Sequence, residues 1–269
     1  MFGPYWQYQL PLWVVFALLL MLLLIPMEVG FRLGKRQKFI YPDFEGVTRS
    51  DVTLASMMAL VGLMLAFTYS FSLSRADLRK TALITEVNAI DTAFLRADLL
   101  PEPGRTHVRK LLFDYAKSRY VEPGTVRTLK EVEQVVDRSV KIQSEMWPAV
   151  KRALRQQGGM SNPEKALLVS AINEVFDSHT SRMAVFFDRL PTAVLGLLVF
   201  IGGLSVGLAA YNSGLSGRFV RWRMTGFAFI LASLMYIILD YDMMMRGFIQ
   251  VDQRSIILLI EEMQAALQH

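Results

Sequence analysis

The chain has 269 residues, of which 53% are hydrophobic and 20% charged, and it carries a formal net charge of +5 at pH 7. Its mean hydropathy of +0.33 is too high for an ordinary soluble domain, yet the charged fraction leaves room for a polar one. Cysteine is absent, which excludes disulfides, thiol nucleophiles, iron-sulfur clusters and zinc sites with cysteine ligands.

Four apolar segments are each long enough to span a bilayer, which takes about 20 mostly apolar residues in a helix. In chain order they are Leu10 to Met27, Leu54 to Leu73, Leu190 to Tyr211 and Trp222 to Leu239. The tail before the first segment has no Lys or Arg, and no small-x-small cleavage site follows the segment, which is not typical of a secretory signal. The sequence therefore predicts four transmembrane helices, the first of which stays attached, with the lipid bilayer as a partner.

Positive charge is concentrated in the connections that follow the first and third segments. The cations are Arg32, Lys35, Arg36, Lys38 and Arg49 in the first connection and Arg218, Arg221 and Arg223 in the second. Short loops rich in Lys and Arg tend to remain in the cytoplasm. This distribution predicts that residues 74–189, between the second and third segments, face away from the cytoplasm.

The second segment is predicted to continue as a helix beyond its apolar part. No Pro or Gly occurs from Ser74 to the stop at Pro101, and apolar residues recur at helical spacing among the charges. These residues are Ile84, Val87, Ile90, Phe94 and Leu95. The pattern predicts one helix of about 50 residues, from 51 to 100, that leaves the bilayer and becomes the first helix of a water-exposed domain.

Residues 74–189 are the only sizeable soluble segment, with 19 Lys and Arg against 15 Asp and Glu. This mixed balance is typical of a solvated helical surface, and we expect no nucleic-acid partner. Pro and Gly clusters divide the segment into four predicted helices. The first ends at Leu100, and the others are Arg105 to Tyr120, Val126 to Gln157 with a bend at Pro148, and Pro163 to Arg189. Ser161 and Asn162 can cap the last helix, and Glu164 suits the dipole at its start.

No segment alternates with period two, so no strand is predicted and the fold class is all-α. The expected architecture is a membrane protein with four transmembrane helices and a helical soluble domain inserted between helices two and three, with long continuous helices joining them. The predicted division is 1–73 for helices one and two with their basic loop, 74–189 for the soluble domain, and 190–269 for helices three and four with a C-terminal helix.

The second transmembrane helix carries two patterned faces. One is a small-residue row that lets another helix approach closely, formed by Ala55, Ala59, Gly62 and Ala66. The other is an aromatic stripe, formed by Ser56, Leu60, Met64, Phe67, Phe71 and Arg75. In the third helix, Gly203 and Gly207 have the GxxxG spacing that favours helix packing. No ionisable residue lies at the middle of a transmembrane helix, which argues against a proton-coupled pump and leaves room for a hydrophobic constriction.

Other polar residues are candidates for ion contacts or for hydrogen bonds between helices. They are Arg79, Glu86, Asn88 and Asp91 on the long helix and Asp240 and Asp242 after the fourth transmembrane helix. Asn88 could bond a neighbouring helix or subunit, line an ion path, or make a buried polar contact within the helical domain. The two aspartates could hold a cation, pair with Arg246, or lie at a solvated helix end.

The sequence has no signature of an enzyme. The three histidines, His107, His179 and His269, have no partner at metal-ligand spacing, and no GxGxxG motif, P-loop or nucleophile elbow occurs. We therefore expect no catalytic residue, no metal and no other cofactor.

Two stretches resemble the bestrophin-like family of bacterial membrane proteins. The first comprises Leu65-Ala66-Phe67-Thr68-Tyr69-Ser70, then Arg75, Asp77 and Arg79, then Glu86-Val87-Asn88-Ala89-Ile90 and Leu95-Arg96-Ala97-Asp98-Leu99-Leu100-Pro101; the second is Asp240-Tyr241-Asp242 with Gly247. The order of two membrane helices, a helical domain and two more membrane helices is also similar to that of true bestrophins. Those are pentameric anion channels whose second helix lines the pore through an aromatic and aliphatic neck.

The resemblance implies a multi-pass protein of the bacterial inner membrane that forms a homo-oligomer, a pentamer, and conducts inorganic ions. It places Phe67 and Phe71, with Met64, at a neck, and Arg75 and Arg79 at the mouth, where they would favour anions. The chain lacks the acidic cluster of the calcium clasp in animal bestrophins, so calcium gating is not implied.

The sequence leaves the function and the membrane orientation of the helical domain open. The alternative function is a non-conducting membrane scaffold or sensor whose helical domain binds a partner. Bestrophins keep their helical domain in the cytosol, opposite to the orientation that the loop charges predict.

Overall fold

The computed structural model of the chain describes residues 11–41, 47–122, 125, 129–156, 160–216, 221–243 and 251–268. All regular secondary structure in these ranges is helical, and no strand occurs in them. The helices of this part of the chain are α1 (Leu12–Ile40), α2 (Val47–Ala97), α3 (Gly104–Arg119), α4 (Leu129–Leu154), α5 (Asn162–Phe187), α6 (Thr192–Ser216), α7 (Arg221–Asp242) and α8 (Arg254–Gln268).

Four stretches in the described residues are long and apolar enough to cross a membrane: Leu12–Ile40, Val52–Ala97, Asn162–Ser216 and Arg221–Asp242. These stretches hold the four apolar segments of the sequence. The prediction of an all-α chain with four candidate membrane-spanning helices is therefore confirmed.

Helix α2 is a single helix of 51 residues with no break where its apolar part ends near Leu73. It contains no Pro, and Gly62 is its only Gly, so nothing in its sequence interrupts the ladder of backbone hydrogen bonds. The predicted unbroken helix from an apolar to a polar sequence is confirmed, with its end at Ala97 and a turn up to Leu100.

The second predicted continuous connection is wrong. Helix α5 ends at Phe187, and α6 begins only at Thr192. Pro191 lacks a backbone N–H and disfavours the helical conformation in the residue before it, which separates the two helices.

The chain divides into two compact units. Unit 1 comprises Met1–Ser74 and Arg189–Met243, and unit 2 comprises Arg75–Asp188 and Met244–His269. The sequence groups the C-terminal helix with transmembrane helices three and four, whereas α8 packs on α3 within unit 2. There, Arg109 Nη2 donates a hydrogen bond to the carbonyl oxygen of Ala266 at 3.2 Å.

In unit 1, α1 packs closely along α6. A Cβ atom at Gly30 or Gly34 would overlap backbone carbonyl oxygens of α6, so only glycine permits this approach. The GxxxG pair of α6, Gly203 and Gly207, faces Pro26 of α1. These glycines therefore pack two helices of the same chain.

Unit 2 is a helical bundle around one apolar core. Its largest fully buried side chains are Leu83, Ile90, Leu100, Leu112, Tyr115, Met146, Leu168 and Ile172. The predicted cap of α5 is present as a capping box, in which the Glu164 carboxylate accepts hydrogen bonds from the Ser161 N–H and hydroxyl, both at 2.7 Å. The cap and the core together orient α5, whose end contacts Arg75 and whose Arg182 pairs with Glu86.

Candidate functional site

Helix α2 buries one face inside unit 1. This packed face consists of Val61, Leu65, Thr68 and Ser72, all at most 8% exposed. The spacing of four, three and four residues places them on one side of a helix. The Thr68 hydroxyl donates to the carbonyl oxygen of Met64 at 2.7 Å, so that polar group is satisfied within the helix.

The aromatic stripe lies on a different side of α2 and is largely exposed in the single chain. Phe67 is 59% and Phe71 66% exposed, and Ser56 and Leu60 are exposed as well. Met64 is half-buried, since it borders the packed face. Helical spacing alone predicts this stripe, and the fold leaves its aromatic end uncovered within unit 1.

The small-residue row is also uncovered within unit 1. Ala55, Ala59, Gly62 and Ala66 are all exposed, and a Cβ atom at Gly62 would meet no atom within 4 Å. At about 100° per residue, the packed face, the aromatic stripe and the small-residue row lie roughly 100–140° apart around the helix axis. One face of α2 is used by its own chain, and two differently shaped faces are available.

Arg75, the last member of the stripe, lies in unit 2 and is paired with a carboxylate. Its Nε is 3.1 Å from Asp188 Oδ2, and its Nη2 is 3.4 Å from Oδ1, which makes a two-point contact. Arg79 is buried, and its Nη2 donates to the backbone carbonyl of Asp188 at 3.3 Å. Both guanidinium groups meet the C-terminal end of α5, where the helix dipole favours cations.

Glu86 lies in unit 2, thirteen residues beyond the end of the apolar segment at Leu73, and its side chain is fully buried. Arg119 Nε lies 2.8 Å from Glu86 Oε1, and Arg182 Nη1 lies 2.5 Å from Oε2. The Tyr115 hydroxyl donates to Oε1 at 2.7 Å. One carboxylate therefore joins three helices, α2, α3 and α5.

A second layer of polar groups completes this Glu86 cluster, which consists of Glu86, Tyr115, Arg119, His179 and Arg182. His179 Nδ1 lies 3.1 Å from the Tyr115 hydroxyl oxygen. Because the single hydroxyl hydrogen of Tyr115 is donated to Glu86, the hydrogen in this contact comes from Nδ1. From α4, Gln143 Nε2 donates to the Tyr115 oxygen at 3.3 Å, so four helices meet at the cluster.

The cluster keeps its carboxylate charged. Burial by itself raises the pKa of Glu86, but the His179 ring and the charges of Arg119 and Arg182 outweigh burial and hold that pKa well below its ordinary range. Burial raises the pKa of the Tyr115 phenol, and the Glu86 charge raises it further, so Tyr115 remains a hydrogen-bond donor. A charged, fully bonded carboxylate at this position holds the helices of unit 2 together.

Sequence reasoning missed four members of the cluster, although a signal was available. Glu86 interrupts the buried face of α2 between Leu83 and Ile90. In the same way, Arg119 continues the buried face of α3 past Tyr115. A charged residue at an apolar position of each helix predicts a buried ion pair, but it does not say which helices provide the partners.

The other residues that the sequence predicts as ion or inter-helix contacts lie outside the Glu86 cluster. Asn88 is exposed and lines an open groove of about 370 Å³ between α2 and α5, which Arg96 and Glu174 also line. Asp91 is half-buried on α2.

Asp240 and Asp242 are each 2% exposed, so the alternative of a solvated helix end is wrong. Asp242 Oδ1 accepts a hydrogen bond from the Leu190 N–H at 3.0 Å, and the proposed partner Arg246 lies outside the described residues. Among the residues that the structure describes, no group of three His, Asp or Glu side chains could hold a metal ion.

The fold is similar to solved structures of bacterial membrane proteins. A single-substitution variant of a bacterial bestrophin homologue from Klebsiella pneumoniae is 14% identical, with a TM-score of 0.66, and the match covers 93% of this chain and 98% of that one. A second variant is 13% identical with a TM-score of 0.67 and the same coverage. A variant described only as a membrane protein is 12% identical, with a TM-score of 0.67 over 96% of this chain and 99% of that one. At these identities the similarity shows the fold alone.

The sequence itself carries the family signal. No curated protein matches the chain. The family model of the bestrophin-like domain, however, matches residues 15–256, which include most of the chain and span both units. The chain belongs to the bestrophin-like domain family.

Proposed function

We propose that the chain is the subunit of a homo-oligomeric ion channel in which copies of α2 surround the pore. The observation that carries this proposal is the exposure of Phe67 and Phe71 on an apolar helix whose packed face is buried in unit 1. Membership of the bestrophin-like family and the similarity in fold to a bacterial bestrophin homologue support a channel.

The three faces of α2 suit a ring of identical subunits. In such a ring, each pore helix needs one face for its own subunit, one for the pore and one for the neighbouring pore helix. The packed face provides the first, and the aromatic stripe provides the second. The small-residue row provides the third, because small side chains let helices approach closely in a membrane. By family resemblance, the ring has five subunits.

Phe67 and Phe71 form the gate in this proposal. They lie four residues apart, so their rings project from the helix about 6 Å apart along its axis. Several copies of this pair around one axis would make an apolar constriction, and such a constriction blocks ions by losing its water. Ser56, Leu60 and Met64 line the pore on the other side of the constriction.

The charge near the end of the apolar segment sets the ion preference. Arg75 and Arg79 both contact Asp188, whose single carboxylate balances part of their charge in each subunit. Rings of arginine side chains near a pore mouth favour anions. We expect this preference to be weak, because the Asp188 carboxylate neutralises part of the Arg75 charge.

Single-channel recordings of the reconstituted full-length protein test the gate. Wild type is compared with Phe67→Ala and Phe71→Ala, and we expect both substitutions to widen the constriction and to raise the conductance or the open probability. Phe200→Ala is the matched control, because Phe200 is also 66% exposed but lies on α6. We expect its current to equal that of the wild type.

Three outcomes of this experiment would contradict the proposal. Absence of current from the wild type and all variants would remove conduction. An equal effect of Phe200→Ala would remove the special role of α2. A mass measurement that finds only monomers in native-like lipid would remove the pore itself, since one copy of α2 cannot enclose one.

In this proposal, unit 2 faces away from the cytoplasm of a bacterial inner membrane. The support comes from the basic residues at the end of α1 and the start of α7. Because the chain has no cysteine, a single Ser144→Cys variant can be labelled cleanly at an exposed position of α4. We expect a membrane-impermeant maleimide to label this variant in intact cells. Labelling only after the cells are opened would place unit 2 in the cytoplasm and contradict the proposed orientation.

A further inference from the structure

Helix α1 is longer than a membrane requires. It has 29 residues and is therefore about 43 Å long, whereas the hydrocarbon layer is about 30 Å thick. Its apolar segment ends at Met27, and the remainder carries Arg32, Lys35, Arg36 and Lys38. The last three turns of α1 therefore exceed the length that the hydrocarbon layer requires.

Contacts with α6 hold this extension in place. Gly34 lies against the backbone of Tyr211, and the Tyr211 hydroxyl donates to Gln37 Oε1 at 2.7 Å. The cations of the extension are Arg32, Lys35, Arg36 and Lys38, of which Arg32 and Arg36 lie on the side of the helix opposite Gly34. All four of them are exposed.

The start of α7 adds a second group of cations in the same unit. Arg221 and Arg223 are exposed, and Arg221 lies within electrostatic reach of Glu28, which pairs with Arg32 at 2.8 Å. Two segments that are almost 190 residues apart in sequence thus meet at one level of unit 1. Glu28 is the only acidic residue in residues 28–41 and 211–226.

Exposed aromatic side chains lie among these cations. Phe39 is 87%, Tyr41 62% and Trp222 78% exposed. Amphipathic aromatic rings concentrate at the headgroup level of a bilayer, and clustered Lys and Arg beside a membrane helix attract anionic lipids. Guanidinium groups also bind phosphate oxygens through two parallel hydrogen bonds.

We propose that this surface binds the phosphate groups of anionic lipids in the surrounding bilayer. We name it the basic band, and its residues are Arg32, Lys35, Arg36, Lys38, Arg221 and Arg223. Phosphatidylglycerol has the required chemistry, with one negatively charged phosphate and two apolar acyl chains that can lie along the membrane helix. The proposal does not depend on ion conduction, so a failure of one does not imply a failure of the other.

Lipid titrations of the purified full-length protein in neutral detergent test the proposal. We expect phosphatidylglycerol to raise the midpoint of thermal unfolding and phosphatidylcholine to leave it unchanged. Native mass spectrometry should show about tenfold tighter binding of phosphatidylglycerol, as expected when several cations meet lipid phosphates. The effect should weaken in about 1 M salt, where the screening length is about 3 Å.

A matched pair of variants locates the binding. In the triple variant Lys35→Gln, Arg36→Gln and Arg223→Gln, we expect the lipid-induced rise to disappear. The control removes three exposed cations from α4 of unit 2, as Lys130→Gln, Lys141→Gln and Lys151→Gln, and should keep the rise. Persistence of the rise in the first variant, or its loss in the control, would overturn the proposal.

A soluble anion with the same headgroup chemistry separates lipid binding from simple phosphate binding. Glycerophosphoglycerol, which carries the same phosphodiester anion without the acyl chains, should not stabilise the protein. Equal stabilisation would assign the surface to a soluble anion and overturn the proposal.

If the triple variant does not fold, the wild type still provides a test. Brominated phosphatidylglycerol should quench the fluorescence of Trp222, measured against Trp222→Phe, more than brominated phosphatidylcholine does. Equal quenching by the two lipids would contradict the proposal.

Discussion

Replacing Glu86 by Gln tests the buried cluster of unit 2 directly. The substitution keeps the size of the side chain but removes the charge that Arg119 and Arg182 share. The side chains of these arginines are only 3% and 17% exposed, so water cannot replace the lost partner. Removing one partner of a buried ion pair costs about 3–5 kcal/mol, because the remaining charge is left uncompensated.

This loss of stability can be converted into a shift of the unfolding midpoint. For a chain of this length, each kcal/mol lowers the unfolding midpoint by about 2–4 °C, so Glu86→Gln should lower it by roughly 6–20 °C. Arg182→Gln removes one of two cations and leaves Glu86 paired with Arg119. It should therefore cost less, about 1–3 kcal/mol.

The assay is thermal unfolding of the full-length protein in detergent, followed by helical circular dichroism. Glu145→Gln is the control, because it makes the same chemical change at an exposed position of α4 in the same unit. Two results would refute the reasoning. One is a midpoint for Glu86→Gln within about 2 °C of the control, which is the range of ordinary surface substitutions. The other is a larger loss in Arg182→Gln than in Glu86→Gln.

Further predictions concern pH, charge and helix packing. The pKa of Glu86 lies well below its ordinary value of 4.5, so its ion pairs stabilise the fold fully above pH 4.5 and lose this effect as the pH falls below it. The difference in unfolding midpoint between wild type and Glu86→Gln should therefore be constant near neutral pH and should become smaller in acid. Asp188→Asn should free the charge of Arg75 and shift the reversal potential in a chloride gradient towards that of chloride, and an unchanged potential would separate Arg75 from selectivity. Gly34→Ala should destabilise the protein by about 1–3 kcal/mol, because its Cβ atom would overlap α6, whereas Gly196→Ala, whose Cβ atom would meet nothing, should be neutral or stabilising in a melting experiment.

The sequence was sufficient for features that depend on neighbouring residues. The four apolar segments, the unbroken helix through Leu73 and the cap formed by Ser161 and Glu164 all follow from interactions within a few turns of one helix. The aromatic stripe and the small-residue row were also recognisable as faces, because helical spacing alone decides which residues share a side.

Tertiary structure decided which of these faces is covered and which charges are paired. Both faces of α2 are compatible with packing, and only the contacts of unit 1 leave Phe67 and Gly62 exposed. Arg75 and Asp188 are 113 residues apart, and Glu86 and Arg182 are 96 apart. The sequence by itself thus determined the helices and their patterned sides, since these depend on local periodicity. The partners of buried charges depend on which helices meet in space, and local sequence does not encode that.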